Sequence, residues 1–259
     1  MIAGRYVALG SSFAAGPGIP PLVHRGALRS ARNYPHLLAD ARGLDLVDAT
    51  CSGATTADVR HRRQPTLTGA LPPQVDALTP DTALVTVTIG GNDLGYLGML
   101  TSAALRGALA RRLPATLARR LRYTVEVPPP ATFAEVRASL GAVVGEVRRR
   151  APAARVVLVD YLTVLGPHAT PQTLPLTADQ IEAGRRVAAG LAEVFAGAAT
   201  DTGADLVAAS EASTDHGAGS PDPWIGGVAL GVAPLGGPVP FHPTAAGMRA
   251  VADLVAARL

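Results

Sequence analysis

Four short segments carry residues suited to acyl chemistry. Gly10-Ser11-Ser12-Phe13, Ser52-Gly53-Ala54 and Gly90-Gly91-Asn92-Asp93 each follow a run that reads as a β-strand, and His242-Pro243 stands just before the last helical segment. A serine hydroxyl is a weak nucleophile at neutral pH; it needs a base within hydrogen-bond reach and donors aimed at the developing oxyanion. His242 can be that base. The backbone NH groups of Ser12 and Gly53 and the side-chain amide of Asn92 can be the donors, the glycine allowing close approach and the amide having no proton to lose. Taken singly, each residue has a structural reading: Ser12 a helix cap, Gly53 a turn, Asn92-Asp93 a helix start, His242 an N-cap beside Pro243. Taken together, the three strand-end segments meet at one place, because loops at the carboxyl ends of parallel strands share one edge of the sheet.

The elements that must position them follow an α/β rhythm. Strand-like runs span Arg5 to Gly10, Asp45 to Thr50, Ala83 to Ile89, Arg155 to Tyr161 and Asp205 to Ala208, with helical segments between. That alternation predicts a parallel sheet covered on both faces. Thr132 with Glu135 and Thr177 with Gln180 read as capping boxes, opening helices at about Phe133 to Arg150 and Ala178 to Ala199. Pro243 suits the first turn of a final helix running to about Arg258, with His242 near its N-cap. Between Tyr96 and Pro130 the chain carries one or two helices the sheet does not need, with Leu105, Leu109, Leu113, Leu117 and Leu121 at spacing four. This insertion covers the site or packs as a surface pair on the sheet edge. Gly217 to Phe241, rich in Gly and Pro, reads as a long loop. One domain over residues 1–259 is expected.

The 259 residues are 48% hydrophobic and 17% charged, a globular composition long enough to bury a full core. The formal net charge is +3, and every basic residue other than histidine is arginine. Arg111, Arg112, Arg119, Arg120 and Arg122 cluster, as do Arg148 to Arg150, but no aromatics alternate with them, so solvated helix faces are expected rather than nucleic-acid binding. Cys51 is the sole cysteine, excluding an intrachain disulfide. No signal peptide is visible and no apolar run is long enough to insert stably in a bilayer. A cytoplasmic location is expected, with secretion reserved for a chain trimmed of a leader. No Gly-x-Gly-x-x-Gly follows the first strand, no Walker lysine is present, and the remaining histidines show no metal-ligand spacing. No cofactor and no metal are expected, and oligomeric state is left open.

The four segments, in order and spacing over nearly the whole chain, resemble the SGNH or GDSL-type hydrolases, named for Ser, Gly, Asn and His in four separated blocks. The resemblance implies a three-layer α/β/α sandwich with a flavodoxin-like parallel sheet. It also implies a serine esterase or lipase acting on a small-molecule ester through an acyl-enzyme, with Ser12 as nucleophile, His242 as base and an oxyanion hole from Ser12, Gly53 and Asn92. Pro221-Asp222-Pro223-Trp224 also resembles a segment of actinobacterial lipases and esterases, relatives that usually carry disulfides. An acyltransferase using the same acyl-enzyme, or a binding module on the same fold, is the alternative. Two positions depart from the pattern. Ser11 stands where the family usually has Asp before the nucleophile, and is expected to serve as a local hydrogen-bonding or capping residue. Val239 stands where most members have an Asp three residues before the histidine. The expectation is therefore a dyad, with the Val239 backbone carbonyl accepting from His242 Nδ1, and Asp215 or Asp222 as the alternative acid. His216 is the rival base.

Overall fold

The structure is a computed structural model that describes residues 4–228 and 239–259. Five parallel strands form the central sheet: β1 (Arg5–Gly10), β2 (Asp45–Asp48), β3 (Thr82–Thr88), β4 (Arg155–Val159) and β5 (Asp205–Val207), in the order β2-β1-β3-β4-β5. This is the flavodoxin-like order, whose chain reversal lies between β1 and β3, the place where ligands collect in such sheets. The strands are apolar and β-branched because both faces are covered: Tyr6 to Leu9 in β1 and Leu84, Val85 and Val87 in β3 are fully buried.

One helical layer holds α2 (Tyr34–Arg42) packed on α9 (Ala245–Arg258). The other holds α3 (Thr56–Arg60), α6 (Pro130–Arg150) and α7 (Ala178–Thr202), with α4 (Tyr96–Ala110) against α7. Buried apolar residues of all three layers form one contiguous cluster. Short pieces complete the chain: α1 (Ser12–Ala15) directly after β1, α5 (Ala115–Ala118), α8 (Ala209–Ala212), and two small hairpins at 22–30 and 64–71.

Local chemistry explains where the elements end. The Thr177–Gln180 capping box forms, with Gln180 N donating to Thr177 Oγ1 and Thr177 N to Gln180 Oε1. The Thr132–Glu135 box does not: α6 already begins at Pro130, whose fixed φ suits the first helical position, so Thr132 lies inside the first turn. The final helix is likewise capped by Thr244, not by His242; Thr244 Oγ1 accepts from Gly247 N, which leaves Pro243 and His242 outside the helix. The leucines at spacing four do not share one helix, because Pro114 ends the α4 region, and Leu105, Leu109 and Leu117 face outward. Of the long loop, residues 229–238 lie outside the described residues. The flanking parts are ordered by pairing, with Ile225 bridged antiparallel to Pro243.

Candidate active site

β1 ends at Gly10, and the next residues turn into α1. In this short helix the NH groups of Ala14 and Ala15 bond to the Ser11 carbonyl, and Gly16 N bonds to Ser12 O. The NH of Ser12 belongs to the first turn, which has no acceptor within the helix. Among the described residues, none accepts from it.

The second segment arrives because the ladder between β1 and β2 continues past β2. Ala49 N donates to Ala8 O and Cys51 N to Gly10 O, both at 3.0 Å. Ser52 N then bonds to Ala27 O and Ala54 N turns back on Cys51 O. Between two occupied donors, Gly53 N has no acceptor among the described residues. Gly53 sits at φ +81°, a conformation that a side chain would strain. The glycine is thus what turns this NH away from the chain's own acceptors.

The third segment is docked on the second by side chains. Asn92 Nδ2 donates to Ala54 O at 2.8 Å, which places the amide beside Gly53 and leaves its other N–H to act. Asp93 accepts from Thr56 N and, at 2.6 Å, from Thr56 Oγ1, fastening the start of α3.

His242 reaches Ser12 from the far end of the sequence. Its Nε2 lies 2.8 Å from Ser12 Oγ, and its Nδ1 lies 2.8 Å from the Pro240 carbonyl oxygen. With Nδ1–H donating to that carbonyl, Nε2 is the bare nitrogen facing the serine hydroxyl. The accepting carbonyl is therefore that of Pro240 and not of Val239, whose oxygen takes the His242 backbone NH instead, at 3.3 Å. The reason is the turn between them: Phe241 adopts φ +58°, uncommon for a bulky residue, and this swings the Pro240 carbonyl under the imidazole. Complete burial of the Phe241 ring offsets the strain.

Neither alternative carboxylate approaches His242. The Asp222 side chain is exposed and pairs with His216 Nδ1 at 3.3 Å, while Asp215 is exposed on the short 3₁₀ turn Thr214–His216. His216 itself is stacked on Trp224, ring centroids 4.0 Å apart, and bonds to the Asp222 carbonyl, whereas the imidazole that meets Ser12 is that of His242. Burial pushes the pKa of His242 below the ordinary histidine value, opposed by the bond to Pro240, which favours the charged form.

Two residues that sequence reasoning passed over organise this edge. Tyr161, just beyond β4, is buried; its hydroxyl accepts from Gly91 N at 2.9 Å and lies 3.2 Å from Ser11 Oγ. Ser11 thus stands at the N-cap position of α1 without capping it, and ties the Ser12 loop to the Asn92 loop through Tyr161. A Cβ at Gly91 would fall 2.8 Å from the tyrosine ring, so only glycine permits this closeness. Gln74 grips Gly10 on both sides, Gly10 N to Oε1 at 2.7 Å and Nε2 to Gly10 O at 3.0 Å. The 3₁₀ turn Gln74–Ala77 just before β3 hinted at neither contact.

Among the described residues, a cavity of about 220 Å³ borders His242, walled by Pro17, Ile19, Pro20 and Pro243. Three larger cavities among the described residues, one of about 670 Å³ beneath the α4–α5 segment, are lined by none of Ser12, Gly53, Asn92 and His242. Among the same residues, no helix is long and apolar enough to cross a membrane.

Known proteins resemble this chain in sequence and in fold. The sequence model of the GDSL-like lipase/acylhydrolase family matches residues 8–250. Lipase 2 of Streptomyces coelicolor is 36% identical over 258 residues, covering 96% of this chain and 83% of that protein. Among solved structures, phospholipase A1 from Streptomyces albidoflavus NA297 superposes with a TM-score of 0.74 at 27% identity, covering 100% of this chain and 99% of the other. The extracellular lipase of Streptomyces rimosus gives 0.66, also at 27%, with 98% of each chain covered. A parallel-sheet α/β sandwich, a family match over nearly its whole length and relatives that are lipases make this chain a member of the GDSL-like lipase/acylhydrolase family, a serine carboxylic ester hydrolase.

Proposed function

We propose that Ser12 is the nucleophile of this hydrolase and His242 its general base, working as a dyad oriented by a backbone carbonyl. The observation that carries this reading is the 2.8 Å contact between His242 Nε2 and Ser12 Oγ, made across 230 residues of sequence. Ser12 Oγ attacks the ester carbonyl as its proton passes to Nε2. The tetrahedral oxyanion is met by the NH groups of Ser12 and Gly53 and by the Asn92 amide, three donors fixed before the reaction begins. The imidazolium then protonates the leaving alcohol, and water, activated by the same nitrogen, hydrolyses the acyl-enzyme. The Pro240 carbonyl fixes the tautomer, but, being neutral, stabilises the imidazolium less than a carboxylate would.

The apolar walls at Pro17, Ile19 and Pro243 support an acyl ester as substrate over a small polar acetate. Because Cys51 is buried and unpaired, the fold needs no disulfide to hold it. Replacing Ser12 with Ala is expected to abolish turnover of a short-chain nitrophenyl ester while Ser11→Ala retains a measurable rate; full activity in S12A would sink the assignment.

A further inference from the structure

Residues 94–125 contain six arginines and no Asp or Glu. Elsewhere the chain neutralises many of its arginines locally: Arg62 on Asp58, Arg137 on Asp201, Arg149 and Arg150 on Glu146, Arg155 on Asp205. Among the described residues, none of the six forms an ion pair. Two of them have structural work, Arg111 donating to the carbonyls of Pro171 and Leu174 and Arg106 lying 5.2 Å over the Tyr123 ring. Arg112, Arg119, Arg120 and Arg122 are exposed.

The same segment exposes its leucines. Leu105, Leu109 and Leu117 are 42%, 47% and 47% accessible, and with Val127 they make four of the six large exposed hydrophobics among the described residues. At about 3.6 residues per turn, Leu105 and Leu109 share the side of α4 opposite Leu100 and Ala104, which are fully buried against the core. Unpaired cations beside outward-facing leucines make a surface with two demands, an apolar layer for the leucines and fixed negative charge for the arginines. An anionic lipid surface meets both; a nucleic acid meets only the second, and no alternating aromatics favour it.

We infer that the α4–α5 segment docks the protein on anionic lipid, lying on the surface rather than spanning it. α4 grows directly out of the loop that carries Asn92, so docking would seat the membrane beside the helix that adjoins the site. Docking needs no turnover, so it is tested apart from the Ser12 assignment. The full chain is sedimented with vesicles of phosphatidylcholine alone and of phosphatidylcholine containing phosphatidylglycerol, at low and high salt. Binding to the anionic vesicles only, weakened by salt, is expected. The triple variant Arg119→Gln, Arg120→Gln, Arg122→Gln should lose about a hundredfold in affinity, taking each basic side chain at the usual membrane-surface value. Leu105→Ser, Leu109→Ser and Leu117→Ser together should lose at least about tenfold. Nitrophenyl ester turnover reports folding of both variants, since none of these residues lies in the site. No binding, equal binding to neutral vesicles, binding untouched in a folded variant, or equal affinity for a single-stranded oligonucleotide would each overturn the inference.

Discussion

The loops that carry Ser12, Gly53 and Asn92 are tied to one another by side chains, whereas the segment that carries His242 is held by its backbone. On the donor side, Tyr161 joins Ser11 to Gly91, Gln74 clamps Gly10, Asn92 holds Ala54 and Asp93 holds Thr56. On the base side, Gly226 N bonds to His242 O, Phe241 N to Gly226 O and Thr244 N to Trp224 O, and the imidazole rests on a main-chain carbonyl. Phe13 lies between them, its ring 4.7 Å from Tyr161 and 5.7 Å from His242. A site built this way should be fragile to side-chain changes on one side. On the other, it should tolerate them except at the histidine itself and at the buried Phe241 that holds its turn.

The strongest way to break that contrast is at the histidine. His242→Ala should lower kcat by roughly 10⁴-fold or more, as removal of a general base does in serine hydrolases. Asn92→Ala comes next, with about 10²–10³-fold lost from kcat and little change in KM, because the amide acts on the transition state. Tyr161→Phe strands the buried Gly91 NH and loosens the loop register, so kcat should fall roughly tenfold to a hundredfold while the pH profile keeps its shape. Ser11→Ala removes one neutral bond and should cost about tenfold at most. On the base side, Asp215→Asn and Asp222→Asn, both exposed, should each stay within about twofold of the native rate, as ordinary surface changes do. A large loss in Asp215→Asn or Asp222→Asn would restore a carboxylate to the machinery and erase the contrast.

The pH dependence sharpens the same point. His242 must be neutral to accept the proton, and burial lowers its pKa, so kcat/KM should rise with pH along a limb centred below the ordinary histidine value of about 6.5. A carboxylate partner would instead raise that limb. The sign for stability is the same: as pH falls below about 6.5 the unfolded chain takes up the proton before the folded one, so this group's contribution is lost toward acid. Chemical denaturation across that window reads the effect, and an acid limb above the ordinary value would contradict the backbone-held histidine.

How much could be read from the residues follows the same division. The strands were legible because Tyr6-Val7-Ala8-Leu9 and Leu84-Val85-Thr86-Val87 are apolar runs buried on both faces, and each ends in a glycine-bearing turn at the same sheet edge. The four blocks stood out for that reason. Tyr161 and Gln74 stayed hidden because their partners are 150 and 64 positions away, with no local pattern that marks such a bond. Naming Val239 rather than Pro240 as the acceptor rested on a motif position, while the outcome was set by the φ of Phe241, a conformation the residue type argues against. The direction of the leucines is open in the sequence for a related reason: spacing four shows that side chains share a face but not which way that face points.

The most direct measurement is labelling with a fluorophosphonate followed by peptide mass spectrometry, in the native chain and in His242→Ala. A single adduct on Ser12 is expected, formed at a rate that follows the ester-hydrolysis pH profile and collapses without the histidine. An adduct on Ser11, or labelling of Ser12 at an undiminished rate in His242→Ala, would contradict it.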